Sequence, residues 1–450
     1  MKTVSVILAA GHGVRMNSSI PKVLHKLAGQ ALIQYAVQAV ANLSDDLPVV
    51  VIGEGAEAVR QELGSSARFA LQQPQLGTAH ALLSAEPLLR DATDLVLVTT
   101  GDMPLFRPET LRHLIERQKA NPGPLTLLTA VSSDSHGFGR VLRNGRGEVL
   151  GIVEEPQATP EQLALKELNV SVYCFRTNWL WSALKRISLS PKGEYYLTDV
   201  VGIAVSDGLP VCALQLEDVD EAIGINTRSH LAQAEQILRN RTNQAWMQAG
   251  VTLIDPQSTY IEPGVTIGRD TVIWPDTYLQ GKTIIGEGCT LGPNTLIRDT
   301  SLGRDCTILA SVLESSILED HVEMGPYSHL RPGTHLAKGV HMGNFGEVKG
   351  SYLGPGVKMG HFSYIGDATF GENVNIGAGT ITCNFDGVKK NHTEVGADAF
   401  IGSDTMLVAP VEIGKGAKTG AGSVVTHDVP AHTLVVGVPA RPIRKLEPGE

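Results

Sequence analysis

Residues 260–297 read YIEPGVTIGRDTVIWPDTYLQGKTIIGEGCTLGPNTLI. Ile261, Ile267, Ile273, Leu279, Ile285, Leu291 and Ile297 recur every six positions without a slip. Leu353, Met359 and Ile365 hold a second phase. Val395, Ile401, Leu407, Ile413 and Thr419 hold a third, which ends at Val425. Glycine usually follows the aliphatic residue, as at Gly268, Gly286, Gly292, Gly354 and Gly402. A helix requires a period near 3.6 and a half-buried strand a period of 2. Six fits neither. It fits a solenoid of short strands, each ending at a tight corner, with the aliphatic side chain inward. Glycine would serve corners that demand positive φ. A β-sandwich with frequent turns would space its apolar residues irregularly. The expected fold of this stretch is a parallel β-helix built from hexapeptide repeats.

The phase slips by five between Ile297 and Leu302 and between Val348 and Leu353. Residues 384–394 (NFDGVKKNHTE) break the repeat and should form a loop on the binding face. The tail after Val425, with Pro430, Pro439 and Pro442, reads as irregular chain outside the repeat.

The N-terminal half has a different rhythm. Residues 3–10, 48–53 and 94–100 are continuous apolar runs, as parallel strands buried on both faces require. Helical patterns at 31–42 and 109–120 separate them, which predicts a doubly wound α/β, Rossmann-like domain. Residues 125–131, 151–153 and 170–175 extend the sheet. Residues 226–250 read as a helix with Leu231, Ala234, Ile237, Leu238 and Ala245 on its apolar stripe. The expected division is a domain at 1–228, a helical linker at 229–250 and the solenoid at 251–450.

Of the 450 residues 19% are charged and the net charge is −10, which gives no nucleic-acid surface. Five cysteines without a CxxC pair read as reduced thiols of a cytoplasmic protein. No apolar run approaches the roughly 20 residues of a membrane span. The first apolar run flows into a glycine-rich loop, so it reads as a strand and not as a signal peptide.

The chemistry of the first domain starts at Leu8-Ala9-Ala10-Gly11-His12-Gly13-Val14-Arg15-Met16, followed by Pro21-Lys22. A glycine loop after a buried strand brings backbone N–H groups to phosphates, and Arg15 and Lys22 add cations. No third glycine stands at dinucleotide-fold spacing and no GKS/T follows, so neither a nicotinamide site nor a Walker loop is indicated. Thr100-Gly101-Asp102 ends a strand over the same cleft, where a carboxylate suits Mg²⁺ shared with substrate phosphates. The whole pattern resembles the sugar-1-phosphate nucleotidylyltransferases. That resemblance implies metal contacts from Asp102 and from Asn226 in Gly224-Ile225-Asn226. It implies base reading by Gln73 and Gly77-Thr78, and sugar contacts from Gly139, Glu154 and Asn169. The segment GEYYLTD at 193–199 matches as well.

In the solenoid the information lies in polar residues that interrupt the repeat. Arg331 and Lys349 suit a phosphate, and His361 suits proton removal from an amine or hydroxyl. His329, His335 and His341 are evenly spaced, but a spacing of six puts them on three different faces, which argues against a metal site. GHFSYIGDA, NIGAGTITCN and IGSDTMLVAPV closely resemble the acetyltransferase half of the bacterial bifunctional N-acetylglucosamine-1-phosphate uridylyltransferase/glucosamine-1-phosphate acetyltransferases. The resemblance covers nearly the whole chain in the same domain order. It implies a left-handed β-helix, a homotrimer, UTP and acetyl-coenzyme A as cosubstrates, and synthesis of UDP-N-acetylglucosamine for the bacterial cell wall. It further implies His361 as general base, and glucosamine-1-phosphate contacts from Arg331, Lys349, Tyr364, Asn375 and Asn384. Ala378, Ser403 and Ala421 would contact the coenzyme.

Three departures stand out. Phe385 replaces a frequent Tyr, Thr100 replaces a Tyr before the Gly-Asp pair, and the tail carries Arg441 where several relatives have an earlier Arg. A rival reading is a nucleotidylyltransferase whose solenoid is only a spacer. The polar set around His361 is what a spacer would not need.

Overall fold

The computed structural model describes every residue except His12, Glu54, His136 and 447–450, and of Val14 only the backbone. His12 of the glycine loop therefore lies outside the described residues. The chain divides into two compact units, Met1–Leu238 and Arg239–Glu450. The division falls inside one helix, Arg228–Gln248.

The first unit holds strands β1 (Thr3–Leu8), β2 (Val49–Ile52), β3 (Arg68–Leu71), β4 (Leu95–Thr100) and β5 (Leu125–Val131). They are followed by β6 (Arg140–Arg143), β7 (Val149–Val153), β8 (Glu167–Arg176) and β9 (Val211–Gln215). The sheet order is β9-β5-β8-β4-β1-β2-β3. Neighbours are parallel except β8, which runs antiparallel to both β4 and β5. The apolar runs are explained by burial on both faces. Val4, Val6, Val96 and Val98 join one core, while Ile7, Leu95 and Leu97 join the other. Four-residue β3, strand β6 and edge strand β9 are additions to the sequence reading, and only 151–153 of β7 was expected, because short edge strands carry too few apolar positions to show a period.

From β1 the chain visits β2 and β3 on one side, then returns to β4 on the other. The order thus reverses between β1 and β4, which opens a crevice at their carboxyl ends. Gly11 follows β1 and Asp102 follows β4, so the topology brings both to that crevice.

The second unit is a prism of three parallel sheets with 12, 10 and 9 strands. Ile261, Ile267 and Ile273 lie in three successive strands, one per sheet, and Leu279 stacks on Ile261 to start the next coil. Three hexads therefore make one coil. The slips by five shorten coils at their corners: Leu313 stacks on Ile297, and Leu330 on Leu313, with the inward column unbroken. Thr419 keeps its place in the core because its hydroxyl accepts from the Gly402 N–H at 2.9 Å and pairs with Thr405 Oγ1 at 2.9 Å.

Two expectations change. The glycines after the inward residue mostly do not supply positive φ; corners take it from residues such as Asp270, Asp299 and Asp404. Glycine is needed for close stacking: a Cβ on Gly268 would lie 2.5 Å from the Glu287 nitrogen, and one on Gly377 2.5 Å from the Ser403 nitrogen. The tail is also not irregular. Thr433–Gly437 pairs in parallel with Lys418–Thr419, then turns back into antiparallel Ala440–Lys445, with Val435 buried beneath. This hairpin covers the last sheet edge.

Within the first unit, Leu231, Ala234, Ile237 and Leu238 of the long helix pack with Met16, Leu27, Leu32 and Ile225. Within the second unit, Trp246 and Met247 pack on the solenoid core, and Asn243 donates to the carbonyls of Pro256 (2.7 Å) and Thr259 (3.0 Å). Those residues take the inward face, so Ala245, expected on the stripe, is exposed.

Candidate active sites

The crevice of the first unit is a cavity of about 660 Å³. Its rim on the β1 side is Leu8, Ala9, Ala10, Gly11, Gly13 and Arg15. Gly13 (φ +62°) closes so tightly on Lys22 that a Cβ there would lie 2.6 Å from the Lys22 Cβ. The root of the Lys22 side chain is thus fixed beside the glycine loop. Its ammonium pairs with the Asp102 carboxylate and donates to Asn226 Oδ1 at 3.0 Å. The Ile225 N–H donates to the Asp102 carbonyl at 2.9 Å, which ties the segment carrying Asn226 to the end of β4. Burial alone would raise the Asp102 carboxyl; the Lys22 ammonium outweighs it and holds the group below the usual carboxylate range.

Opposite, Gly77 and Thr78 are clamped to segment 193–199. Tyr195 N–H donates to the Leu76 carbonyl at 2.8 Å, and Leu197 N–H to Thr78 Oγ1 at 3.0 Å. Gly77 (φ +96°) has no room for a Cβ, which would sit 2.7 Å from the Tyr195 carbonyl oxygen. On a third side, Glu154 accepts from the Thr198 hydroxyl at 2.7 Å, and burial pushes its carboxyl upward. Tyr173 lines the same wall and receives the Asn169 amide on its hydroxyl at 2.8 Å.

In the second unit, one corner of the prism carries a row. The Gly379 N–H donates to the Phe362 carbonyl, the Asp404 N–H to the Ala378 carbonyl and the Gly422 N–H to the Ser403 carbonyl, at 2.6, 2.6 and 2.8 Å. The corners bearing His361, Ala378, Ser403 and Ala421 therefore stack on four successive coils, spanning about 14 Å at the usual inter-strand spacing. His361 is exposed at one end. Across the four-residue strand Ser363–Gly366 lies a second cluster. Arg331 donates to Glu347 at 3.1 Å, Asn384 to Asp367 at 2.5 Å, and Lys390 pairs with Asp367 at 3.7 Å. Lys390 presses on Lys349 closely enough to lower its pKa, with Arg331 adding to the effect. Three cations therefore gather at one spot, with the Glu347 and Asp367 carboxylates among them. Tyr364 leans in from the same face: a Cβ on Gly366 would meet its hydroxyl at 2.5 Å and the Asn384 amide at 2.7 Å.

Residues 5–188 match the MobA-like NTP transferase domain, and residues 264–299 and 392–427 match the bacterial transferase hexapeptide (six repeats). The bifunctional protein GlmU of Heliobacterium modesticaldum is 48% identical over 97% of this chain and 95% of its own length. The proteins of that name from Halalkalibacterium halodurans and Streptococcus agalactiae serotype V are each 45% identical, over 96% and 97% of this chain and 95% of theirs.

The chain belongs to the bifunctional GlmU family.

It is a two-activity enzyme of UDP-N-acetylglucosamine synthesis, a nucleotidyltransferase joined to a left-handed β-helical acetyltransferase, with nucleotide and acyl-coenzyme A substrates. Among the residues expected of a GlmU uridylyl site, Leu8, Ala9, Ala10, Gly11, Arg15, Lys22, Gly77, Thr78, Asp102, Glu154 and Asn226 all line the first cavity. Gln73 does not. It is exposed, while its neighbour Gln72 is buried in the wall and donates to the Gly77 carbonyl at 3.0 Å. Ala70 and Gln72 share a buried face by the alternation of β3, which was the available signal. Gly139 and Asn169 stand one layer back: the Asn169 N–H donates to the Gly139 carbonyl at 2.9 Å, and Asn169 reaches the wall through Tyr173.

In the acetyltransferase unit, Arg331, Lys349, Tyr364 and Asn384 come together, and Lys390 joins them from the 384–394 insertion. Sequence reading missed Lys390 because a lysine in a loop carries no pattern. Asn375 lies on the sheet before the corner, stacked between Lys358 and Phe400. Arg441 sits on the terminal hairpin opposite Val436. His329, His335 and His341 fall in three different sheets, each beside a carboxylate: Glu314, Glu319 and Glu323. Among the described residues no group of three His, Cys, Asp or Glu gathers for a metal, and no helix is long and apolar enough to cross a membrane.

Proposed function

We propose that the solenoid acetylates glucosamine-1-phosphate first, and that the N-terminal cavity then joins the product to UMP from UTP. The row of corners from His361 to Ala421, beside the Arg331–Lys349–Lys390 cluster, carries this reading. A spacer has no use for a histidine beside three converging cations.

At the solenoid site the three cations hold the sugar phosphate, and Tyr364, Asn384 and Asn375 hold the sugar. Ala378, Ser403 and Ala421 are small residues along which the coenzyme arm runs. The 2-ammonium group has no free lone pair until it loses a proton. His361 takes that proton, the nitrogen attacks the thioester carbonyl, and the coenzyme leaves as thiolate. General-base catalysis of this kind contributes about 10²- to 10⁴-fold.

In the cavity, the N–H groups of the Gly11 loop, with Arg15 and Lys22, hold the triphosphate. Gln72, Gly77 and Thr78 read the base, and Glu154, with Asn169 and Gly139 behind Tyr173, orients the sugar. The sugar phosphate oxygen attacks the α-phosphorus in line and pyrophosphate leaves. Asp102 and Asn226 fit Mg²⁺: both offer hard oxygen ligands, and the Lys22 ammonium already stands between them as a cation. Bound there, Mg²⁺ would offset charge on the transferring phosphoryl group.

The assembly is proposed to be a homotrimer. The outward column of the ten-stranded sheet carries Tyr278, Leu296 and Val312, then His329, Glu347 and Tyr364, then Ile381, Met406 and Val424, which leaves two apolar stretches for a neighbouring subunit. Light scattering tests it; a monomer mass would defeat it. UTP and acetyl-coenzyme A as substrates, and five free cysteines, support a cytoplasmic setting.

One reaction tests the pathway. Purified protein, Mg²⁺, glucosamine-1-phosphate, acetyl-coenzyme A and UTP are mixed, and free thiol and pyrophosphate are followed together. Thiol should appear without UTP, and pyrophosphate should require prior acetylation. Pyrophosphate that forms only from supplied N-acetylglucosamine-1-phosphate, with no thiol, would mean that the solenoid is not an acetyltransferase.

A further inference from the structure

In the first cavity one side chain bridges two oxygens that would suit a metal ion. The Lys22 ammonium contacts both the Asp102 carboxylate and Asn226 Oδ1. The lysine and aspartate side chains are only 13% and 19% exposed. A carboxylate so withdrawn from water needs a cation beside it. Lys22 supplies one, and its four-carbon stem is rooted against the glycine loop by Gly13. From that root the head reaches both oxygens, and phosphates bound on the loop would compete with them for it.

We propose that Lys22 is a placeholder cation, which yields Asp102 and Asn226 to a divalent ion only when nucleotide phosphates take its ammonium. This rests on the assignment of Asp102 and Asn226 as metal ligands. Without nucleotide, a divalent ion must compete with a tethered ammonium and then leave that ammonium unpaired. With nucleotide, the ammonium moves to a new anion. Metal and triphosphate therefore raise each other's affinity by one shared factor, as linkage requires. The device also keeps the pocket charge-balanced before substrate arrives.

The test uses the full-length protein with Mn²⁺ as probe, counting free Mn²⁺ by electron paramagnetic resonance. Wild type, Lys22→Met, Lys22→Gln and Asp102→Asn are titrated without nucleotide and with UTP, no sugar phosphate being present. Thermal unfolding confirms that each variant is folded. Without UTP, both Lys22 variants should bind Mn²⁺ at least tenfold more tightly than wild type. The enhancement that UTP gives to Mn²⁺ binding, corrected for free Mn²⁺–UTP complex, should shrink by a similar factor. If both Lys22 variants bind Mn²⁺ no tighter than wild type while Asp102→Asn weakens binding in the presence of UTP, the placeholder is overturned and the metal ligands stand. If Asp102→Asn binds Mn²⁺ with UTP as wild type does, the metal assignment falls, and the placeholder with it.

Discussion

Gly366→Ala perturbs the acetyltransferase site through a single methyl group. Gly366 ends the strand Ser363–Gly366, and a Cβ built there would meet the Tyr364 hydroxyl at 2.5 Å and the Asn384 amide at 2.7 Å. Both are ends of side chains, not backbone, so the coil keeps its place and the side chains move. To regain ordinary contact near 3.5 Å, each must retreat by about 1 Å. Asn384 then leaves its 2.5 Å bond to Asp367, and both groups leave the position from which they would hold the sugar. A net hydrogen bond is worth about 0.5–1.5 kcal/mol, so losing two costs about 1–3 kcal/mol, or about 5- to 150-fold in kcat/KM. The assay is thiol release against glucosamine-1-phosphate concentration, with pyrophosphate release from N-acetylglucosamine-1-phosphate and UTP as the internal control. The loss should fall on the first reaction and leave the second within twofold. Unchanged kcat/KM for acetyl transfer would refute the placement of Tyr364 and Asn384 on the sugar.

Gln72→Ala should raise the KM for UTP severalfold, and Gln73→Ala should leave it unchanged, because only the first side chain stands in the cavity wall; the reverse pattern in initial-rate kinetics would restore Gln73. Leu330→Ala removes a fully buried rung of the solenoid column and should cost about 2–5 kcal/mol, read as a lower midpoint in chemical unfolding of the second unit. The Asp386 carboxylate accepts from the Val388 and Lys389 N–H groups and from the Asn391 amide, which pull its pKa down to about 2. Its folded-state value is depressed, so its contribution to the loop is complete above the ordinary carboxylate pKa and is lost only as pH falls through about 2. An NMR titration of that carboxyl at the ordinary value of about 3.9 would contradict the loop geometry.

The solenoid was legible almost residue by residue. A six-residue phase can be read because every inward position must be small enough to stack and apolar enough to bury, and three hexads close one coil. The slips by five were visible as well, and they proved to be shortened corners. The buried strands β1 and β4 were legible for the same reason, since both of their faces meet a core. What escaped depends on contacts made far along the chain. The closing hairpin Thr433–Lys445 exists because an open sheet edge follows Lys418–Thr419, and its own prolines disguise it. Lys390 reaches the cationic cluster because Asp386 pins the insertion and Asp367 receives the ammonium. Gln72 and Gln73 differ only in strand phase, and four residues of β3 set that phase too quietly to be noticed. The glycines were recognised but misassigned: their lack of a side chain lets coils touch, whereas aspartates turn many of the corners.

The central claim is that two chemistries reside on two units of one chain. It is tested most directly by purifying His361→Ala and Asp102→Asn and assaying each reaction separately, then mixing the two proteins with glucosamine-1-phosphate, acetyl-coenzyme A, UTP and Mg²⁺. His361→Ala should lose thiol release by about 10²- to 10⁴-fold and keep uridylyl transfer. Asp102→Asn should lose uridylyl transfer by about 10²- to 10³-fold and keep thiol release. The mixture should make UDP-N-acetylglucosamine that neither variant makes alone. Loss of both activities in either folded variant, or a mixture that stays inactive, would contradict the account.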